Sequence, residues 1–288
     1  MVQLNEHWSD IIATSDENLN TLNKLFQQSK LPSLGQNIFT VNELHGPTGA
    51  VFSVVTEDNT VKIKRKEVEV NNHFDKNNTI RTSITTEALH DMKTQYNEDG
   101  IELLSNYLKG LSNDFENEKT LEFLNDNAVV KDSLTLNSEA PDYVWQTISN
   151  HATKMILEMN SKNIRTYDAF VVLPYKLGAS IMSLFADLHN SELADKTRLF
   201  VGRSGFTEWY INPDYNEEST IYVGLIDKNE TGRNCAYFSK YKNDITFATN
   251  PENGETYLYI WDRFALTMNP SHTNNNPMLV KFSVSRGS

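Results

Sequence analysis

Thiol chemistry is almost missing from this chain. A single cysteine, Cys235, stands among 288 residues, which excludes an intramolecular disulfide and a thiolate metal cluster and leaves a buried, idle thiol as the expected role. No run approaches the roughly 18 apolar residues of a membrane-spanning helix, and the opening MVQLNEHWSDII lacks the basic-then-apolar pattern of a signal peptide. A soluble protein made in the cytoplasm is expected. Positive charge is scarce too: 26 Lys and Arg face 38 Asp and Glu, for a net charge of −12 and a pI near 5.1. Such a surface repels nucleic acid and anionic membranes, although a body that lies against nucleic acid without gripping it still fits.

Catalytic motifs are also lacking. The knot Gly46-Pro47-Thr48-Gly49 suggests a phosphate loop, but a strand-like run follows it and no Lys-Ser or Lys-Thr is present to reach a phosphate. GRSG at 202–205 breaks the Gly-x-Ser-x-Gly spacing of a nucleophile elbow, and TEWYI after it is strand-like. Both read as turns. The seven histidines are scattered with no zinc-ligand spacing. Carboxylates such as Glu116, Glu118 and Glu122 fall on what the pattern marks as the wet face of a helix, and Glu217 and Glu218 on a turn. The expectation is no enzyme, no cofactor and no metal; a soluble enzyme or ligand-binding protein with two carboxylates brought together by folding is the alternative of another class.

What the chain does have is 39% apolar and 10% aromatic residues, enough for one large or two modest cores. Residues 8–31 carry Ile11, Ile12, Leu19, Leu22, Leu25 and Phe26 on a broken helical stripe, which predicts one or two short helices. Pro32, Ser33 and Gly35 then interrupt it, so the first 45 residues read as an arm. From Ala50 to Asn72 two β-rich runs flank a polar turn at Glu57–Thr60, predicting a long charged hairpin with a bulge or bend near Arg65 and Lys66. Basic residues there alternate with Glu57, Asp58, Glu67 and Glu69, so ion pairing fits better than nucleic-acid binding.

A Thr-capped helix is predicted over 85–96, then a break at Asn97 and Gly100 where Asn97 or Asp99 can cap a long helix from Ile101, with Leu104, Leu108, Leu111 and Phe115 on one stripe and acids opposite. A polar link, 125–141, leads to a helix over 142–160 with Val144, Ile148, Ala152, Met155 and Met159 on one face. AFVVL at 169–173 reads as a buried strand, KLGASIMSLFADL as a helix, and the pattern from 197 onward as β.

Four stretches resemble the major capsid protein of tailed phages, in particular the T-even-like myophage branch of the Hong Kong 97 fold. They are NIFTVNELHGPTGAVFSV, IRTSITTEALHDMKTQYNEDGIELLSNYL, LFVGRSGFTEWYINPDYNEESTIYVGLI with NCAYFSKY, and WDRFALTMNP, in collinear order over most of 37–270. The resemblance implies an α+β, HK97-like capsid fold: an N-terminal arm at 1–46, an extended loop (β-hairpin) at 47–81, a peripheral domain with its spine helix at 82–165, an axial domain at 166–235, and a return to the peripheral domain with a C-terminal tail over 236–288. The helix at 142–160 is expected to back the peripheral β-layer. The chain is much shorter than T-even capsid proteins, and 125–141 leaves no room for their inserted domain.

The function so implied is a non-enzymatic structural protein of the virion, assembled in the host cytoplasm from hexamers or pentamers of itself into an icosahedral head around DNA. Vertex, portal, scaffold and decoration proteins are the further partners, and the DNA is contained without sequence-specific binding. A vertex protein or an encapsulin-type shell of the same fold stays open as the alternative. On this reading Lys62, Lys64, Arg65, Lys66 and Glu67 meet an adjacent subunit, and Gly46, Pro47, Thr48 and Gly49 form the pivot between arm and loop. Leu4-Asn5-Glu6 matches the family's prohead-protease pattern, with cleavage after Glu6.

Overall fold

The computed structural model describes residues 22, 25–30, 38–43, 64–69, 79–96, 99–162, 168–185, 199–214, 216, 219–226, 234–250, 254–269 and 272–287. Its longest element begins where the sequence places a cap. Asp99 accepts hydrogen bonds from the Ile101 and Glu102 N–H groups through Oδ1, at 2.9 and 3.4 Å, and helix α2 runs from Gly100 to Asn127. Before it, α1 (Thr86–Asp91) starts on the Thr85 hydroxyl, which accepts from the Ala88 N–H, and continues as a π-helical turn over Met92–Tyr96. A Cβ on Gly100 would stand 2.8 Å from Leu89 Cδ2 and 2.9 Å from Met92 Sδ, so a larger residue there would push these side-chain ends aside.

The buried stripe of α2 changes chemistry halfway along. Leu104 and Leu108 pack on Leu258, but the same stripe continues as Ser112, Asn113, Glu116, Asn117 and Thr120 before Leu124. Glu116, expected on the wet face, is fully buried; a step of four from Leu108 through Ser112 carries it onto the inward stripe. Glu118 and Glu122 are exposed as expected, and Lys119 donates to Glu122 there at 2.7 Å.

The polar half of α2 receives the chain's own N-terminal segment. The Leu22 N–H donates to Asn117 Oδ1 at 2.7 Å, Leu22, Leu25 and Phe26 are buried, and Phe26 meets Phe123 and Phe170 edge-on with ring centroids 5.9 Å apart in each pair. The helix expected to extend to 31 gives way to β1 (Gln27–Lys30). Tertiary pairing overrides local periodicity here: β1 lies parallel on β11 (Ala236–Thr249), Gln27 opposite Tyr237 and Lys30 opposite Lys240. Residues 8–21, 23, 24 and 31 lie outside the described residues.

β11 and β12 (Glu255–Met268) form a long hairpin, closed at Gly254 with φ +66°, and β4 (Thr79–Thr85) completes a four-stranded sheet in the order β1-β11-β12-β4. The register of β11 on β12 shifts once, between Lys240 and Lys242. Helix α2 covers this sheet through Leu104, Leu108 and Leu258.

A second, seven-stranded sheet has the order β5-β13-β10-β7-β9-β8, with β6 also on β13. Its strands are β5 (Val129–Val130), β6 (Leu134–Leu136), β7 (Ala169–Leu173), β8 (Phe200–Ser204), β9 (Thr207–Ile211), β10 (Thr220–Leu225) and β13 (Leu279–Arg286). Two strands thus arise inside the link that reads as purely polar. Helix α3 (Pro141–Lys162) lays Val144, Ile148, Ala152, Met155, Ile156 and Met159 on this sheet, against Val171, Val223, Val280 and Phe282. It therefore backs this sheet, not the β-layer of the four-stranded one. Helix α4 (Tyr175–Ile181) packs beside it, its Gly178 so close to Ile211 that a Cβ would lie 2.6 Å from Cγ1.

The other face of the same sheet meets the four-stranded half. Along β7, Ala169, Val171 and Leu173 face α3, while Phe170 and Val172 join Leu22, Phe26, Leu124, Cys235 and Phe238. Burial on both faces is why AFVVL is apolar without alternation. Gly224 permits the tightest approach: a Cβ there would fall 2.3 Å from Phe170 Cζ.

Residues after Ser271 read as a tail, and the structure corrects this. β13 is an inner strand, antiparallel to β10 on one side and parallel to β5 and β6 on the other, with Leu279, Val280 and Phe282 buried.

The third sheet is a two-stranded ribbon, β2 (Ile38–Glu43) with β3 (Lys64–Glu69), antiparallel from Ile38 opposite Glu69 to Glu43 opposite Lys64. The predicted partner of this charged strand, Ala50–Thr56, lies outside the described residues. Among the described residues the strand pairs with residues read as part of the arm, and its register on them runs unbroken through Arg65 and Lys66, where a bulge or bend was expected. Among the described residues the ribbon joins neither of the other sheets.

Candidate assembly interface

Among the described residues no group of three or more His, Cys, Asp or Glu side chains is placed to hold a metal. The buried nucleophile is quiescent: burial pushes the Cys235 thiol up to about 12. Burial, then the neighbouring Glu208, also holds the Tyr210 phenol well above its usual range, so its hydroxyl stays protonated and donates to Glu208 Oε2 at 2.7 Å. Of GRSG, read as a turn, Gly202, Arg203 and Ser204 belong to β8, paired with Trp209, Glu208 and Thr207, and only Gly205, at φ +60°, lies in the turn of the β8–β9 hairpin.

The sequence-marked contact residues fall on the ribbon. Lys64, Arg65, Lys66 and Glu67 stand opposite Glu43, Asn42, Val41 and Thr40. The run of basic residues thus lies along one strand of the ribbon, paired in register with a strand whose one acidic residue, Glu43, stands opposite Lys64. Lys62, the four knot residues Gly46 to Gly49, and Glu6 lie outside the described residues.

A second constellation, absent from the sequence reading, joins the two halves of the fold at the C-terminal end of α2. The orphan carbonyls of that helix end are met by residues from far along the chain. Lys281 of β13 donates through Nζ to Asn125 O at 2.8 Å and to Asn125 Oδ1 at 2.7 Å, placing a positive charge at the negative end of the helix dipole. The Met278 N–H donates to His272 Nδ1 at 3.0 Å, so the ring's proton sits on Nε2, which lies 3.0 Å from Asn127 O and donates to it. Only the neutral imidazole makes both bonds.

Burial holds His272 below its ordinary value of 6.5, and burial followed by the charge of Lys154 does the same to His151, whose ring lies 4.6 Å from that of Phe282 on β13. The unfolded chain therefore takes up these protons first as pH falls. Stability from the neutral rings is complete above about pH 6.5 and is lost as pH drops through the lower folded-state values. The urea midpoint is expected to fall between pH 7 and 5, with a smaller fall in His272→Gln; an unchanged pH slope in the variant would remove His272 from this role.

No protein-family model matches the chain, and no curated protein matches it in sequence. Solved structures do. The virus-like particle from Pyrococcus furiosus aligns over 98% of this chain and 100% of its own, at 11% identity and a TM-score of 0.50. The mature capsid of bacteriophage PhiM1 aligns over 93% of this chain and 88% of its own, at 8% identity and a TM-score of 0.50. A structure from Mycobacterium phage Adephagia aligns over 94% and 91%, at 12% identity and a TM-score of 0.50. With its α+β content, spine-like α2 and free ribbon, the chain has the HK97-like capsid fold.

Proposed function

We propose that this chain is the major capsid protein of a tailed bacteriophage, a non-enzymatic shell subunit that assembles with copies of itself into the icosahedral head around the genome. The observation that carries the reading is its likeness to the PhiM1 mature capsid over nearly the full length of both chains. The T-even-like myophage branch rests on the four sequence stretches. The four-stranded sheet with α2 serves as the peripheral domain, and the seven-stranded sheet with α3 and α4 as the axial domain. The ribbon is the base of an extended loop that lies over an adjacent subunit, and Gly46 to Gly49 fall in the connection between its strands. Acidic balance suits a container whose DNA must slide on the inner wall. The likeness to a virus-like particle from Pyrococcus furiosus supports a second reading, a shell of the same fold that is not a phage head, such as the encapsulin-type alternative.

Negative-stain microscopy of the purified protein and of particles from lysates tests this: shells, or rings of six or five, are expected, with DNA inside a head and protein cargo inside an encapsulin. A lone monomer under all conditions would overturn it. Reversal of the ribbon charges (Lys64→Glu with Lys66→Glu) is expected to lower particle yield at least several-fold while the subunit's melting temperature holds. Unchanged yield would take the ribbon's lysines out of the contact. Trimming after Glu6 is checked by the intact mass of subunits taken from particles.

A further inference from the structure

We infer that the outer edge of β11 pairs with the same edge of a second copy, antiparallel, about a two-fold axis at Thr246. Among the described residues, β1 covers this edge over Tyr237–Lys240. From Lys242 to Thr249, β11 holds unbroken register with β12 on its inner side, and among the described residues no strand pairs with its outer side. Thr246 to Thr249 are exposed, Phe247 at 65%. Sheets that face solvent protect a free edge with charge, proline, a bulge or short length; here the register shift and the charged Lys242 and Asp244 fall at the start of the stretch, and from Ile245 to Thr249 none of these is present. Phe247 shares a face with its partner Leu258, which is fully buried with Leu104 and Leu108 of α2. The apolar face thus runs past the cover of the helix and stops at an open edge.

Symmetry narrows the partner and the register. Directly opposed residues share a face, successive residues alternate, and a two-fold perpendicular to the sheet leaves each residue on its own face. An axis between two residues would oppose neighbours from different faces, so it must pass through a residue that meets its own copy. β1 blocks the edge up to Lys240 and the strand ends at Thr249, which leaves Ile245 or Thr246 as the centre of a full-length pairing. Centred on Ile245, Phe247 opposes Asn243. Centred on Thr246, Phe247 opposes Ile245 twice, Asp244 opposes Ala248, and no like charges meet. The edge is complementary to itself, which is why a second copy is its occupant.

In the capsid reading this pairing supplies the two-fold contact between neighbouring capsomers, yet it stands or falls separately from shell formation. The test uses the full chain carrying Thr246→Cys, treated with a short bismaleimide cross-linker; buried Cys235 gives the unmutated protein as a blank. A covalent dimer is expected from Thr246→Cys, reduced at least tenfold by adding Phe247→Lys, an exposed position whose change leaves the melting curve in place. Ser83→Cys on β4, at the opposite edge of the sheet, is expected to give no more dimer than the blank. Failure of Thr246→Cys to exceed Ser83→Cys overturns the pairing, as does a cross-link that survives Phe247→Lys. Dimers without shells would sink the capsid reading and leave the pairing intact.

Discussion

Deleting residues 1–26 is expected to leave no stably folded subunit. An arm that served only neighbours would show the opposite: the truncated chain would fold and fail in assembly alone. The loss lies in Leu22, Leu25 and Phe26, each at most 4% exposed. Losing a buried leucine side chain costs about 2–5 kcal/mol, and losing a buried phenylalanine about 3–5. Three such losses together rival the whole stability of an ordinary domain, about 5–15 kcal/mol. They would also bare Phe123 and Phe170 and leave Asn117 Oδ1 without the Leu22 N–H. Phe26→Ala is the milder form, expected to destabilise by about 3–5 kcal/mol in urea. A shorter chain from 27 onward that melts like the full one would refute this account of the segment.

The second large effect is expected at the other end. Ending the chain after Pro277 removes β13 from between β10 and the β5–β6 edge, exposing two rows of backbone hydrogen-bonding groups and the floor on which α3 rests. It also uncaps α2 by removing Lys281 and the Met278 N–H that fixes His272. Insoluble protein is the expected product. Because truncation alone could act through several routes, Phe282→Ala isolates the packing: the ring is 1% exposed and its loss should cost about 3–5 kcal/mol. Lys281→Met isolates the cap, with a smaller loss of about 0.5–2 kcal/mol that shrinks in high salt. A truncated chain that stays soluble and assembles would restore the description of these residues as a tail.

The contrast between the two ends shows what was legible in the residues. Elements with strong periodicity and explicit caps stand where the sequence puts them: Thr85 and Asp99 start α1 and α2, α3 buries Val144 through Met159, and AFVVL is a doubly buried strand. What escaped were assignments decided by distant partners. QQSK has no strand signature and becomes one because β11 offers an edge. LVKFSV alternates clearly, but its place after an apparent closing Asn-Pro disguised an inner strand as a tail. Glu116 lies one position beyond the predicted stripe and was assigned to solvent, although the drift of a 3.6-residue repeat over two turns turns it inward. The ribbon's basic residues were visible at once. The strand they pair with was not, because the register is set by residues more than twenty positions earlier. His272 and Lys281 carry no local signal at all, since each acts on a helix end about 150 positions away.

That separation has a consequence in time. The last turn of α2 emerges from the ribosome with its carbonyls uncapped, and the groups that cap it, 145 and 156 positions downstream, are made long after it. Contacts of this span make folding slow and bind the two halves of the subunit into one late event. A growing chain therefore has no finished join between its sheets, and a prematurely terminated one never acquires it. Synthesis itself thus acts as an inspection step: only a chain translated through β13 acquires the join between its sheets, and a subunit without that join has lost the geometry that the proposed assembly would need.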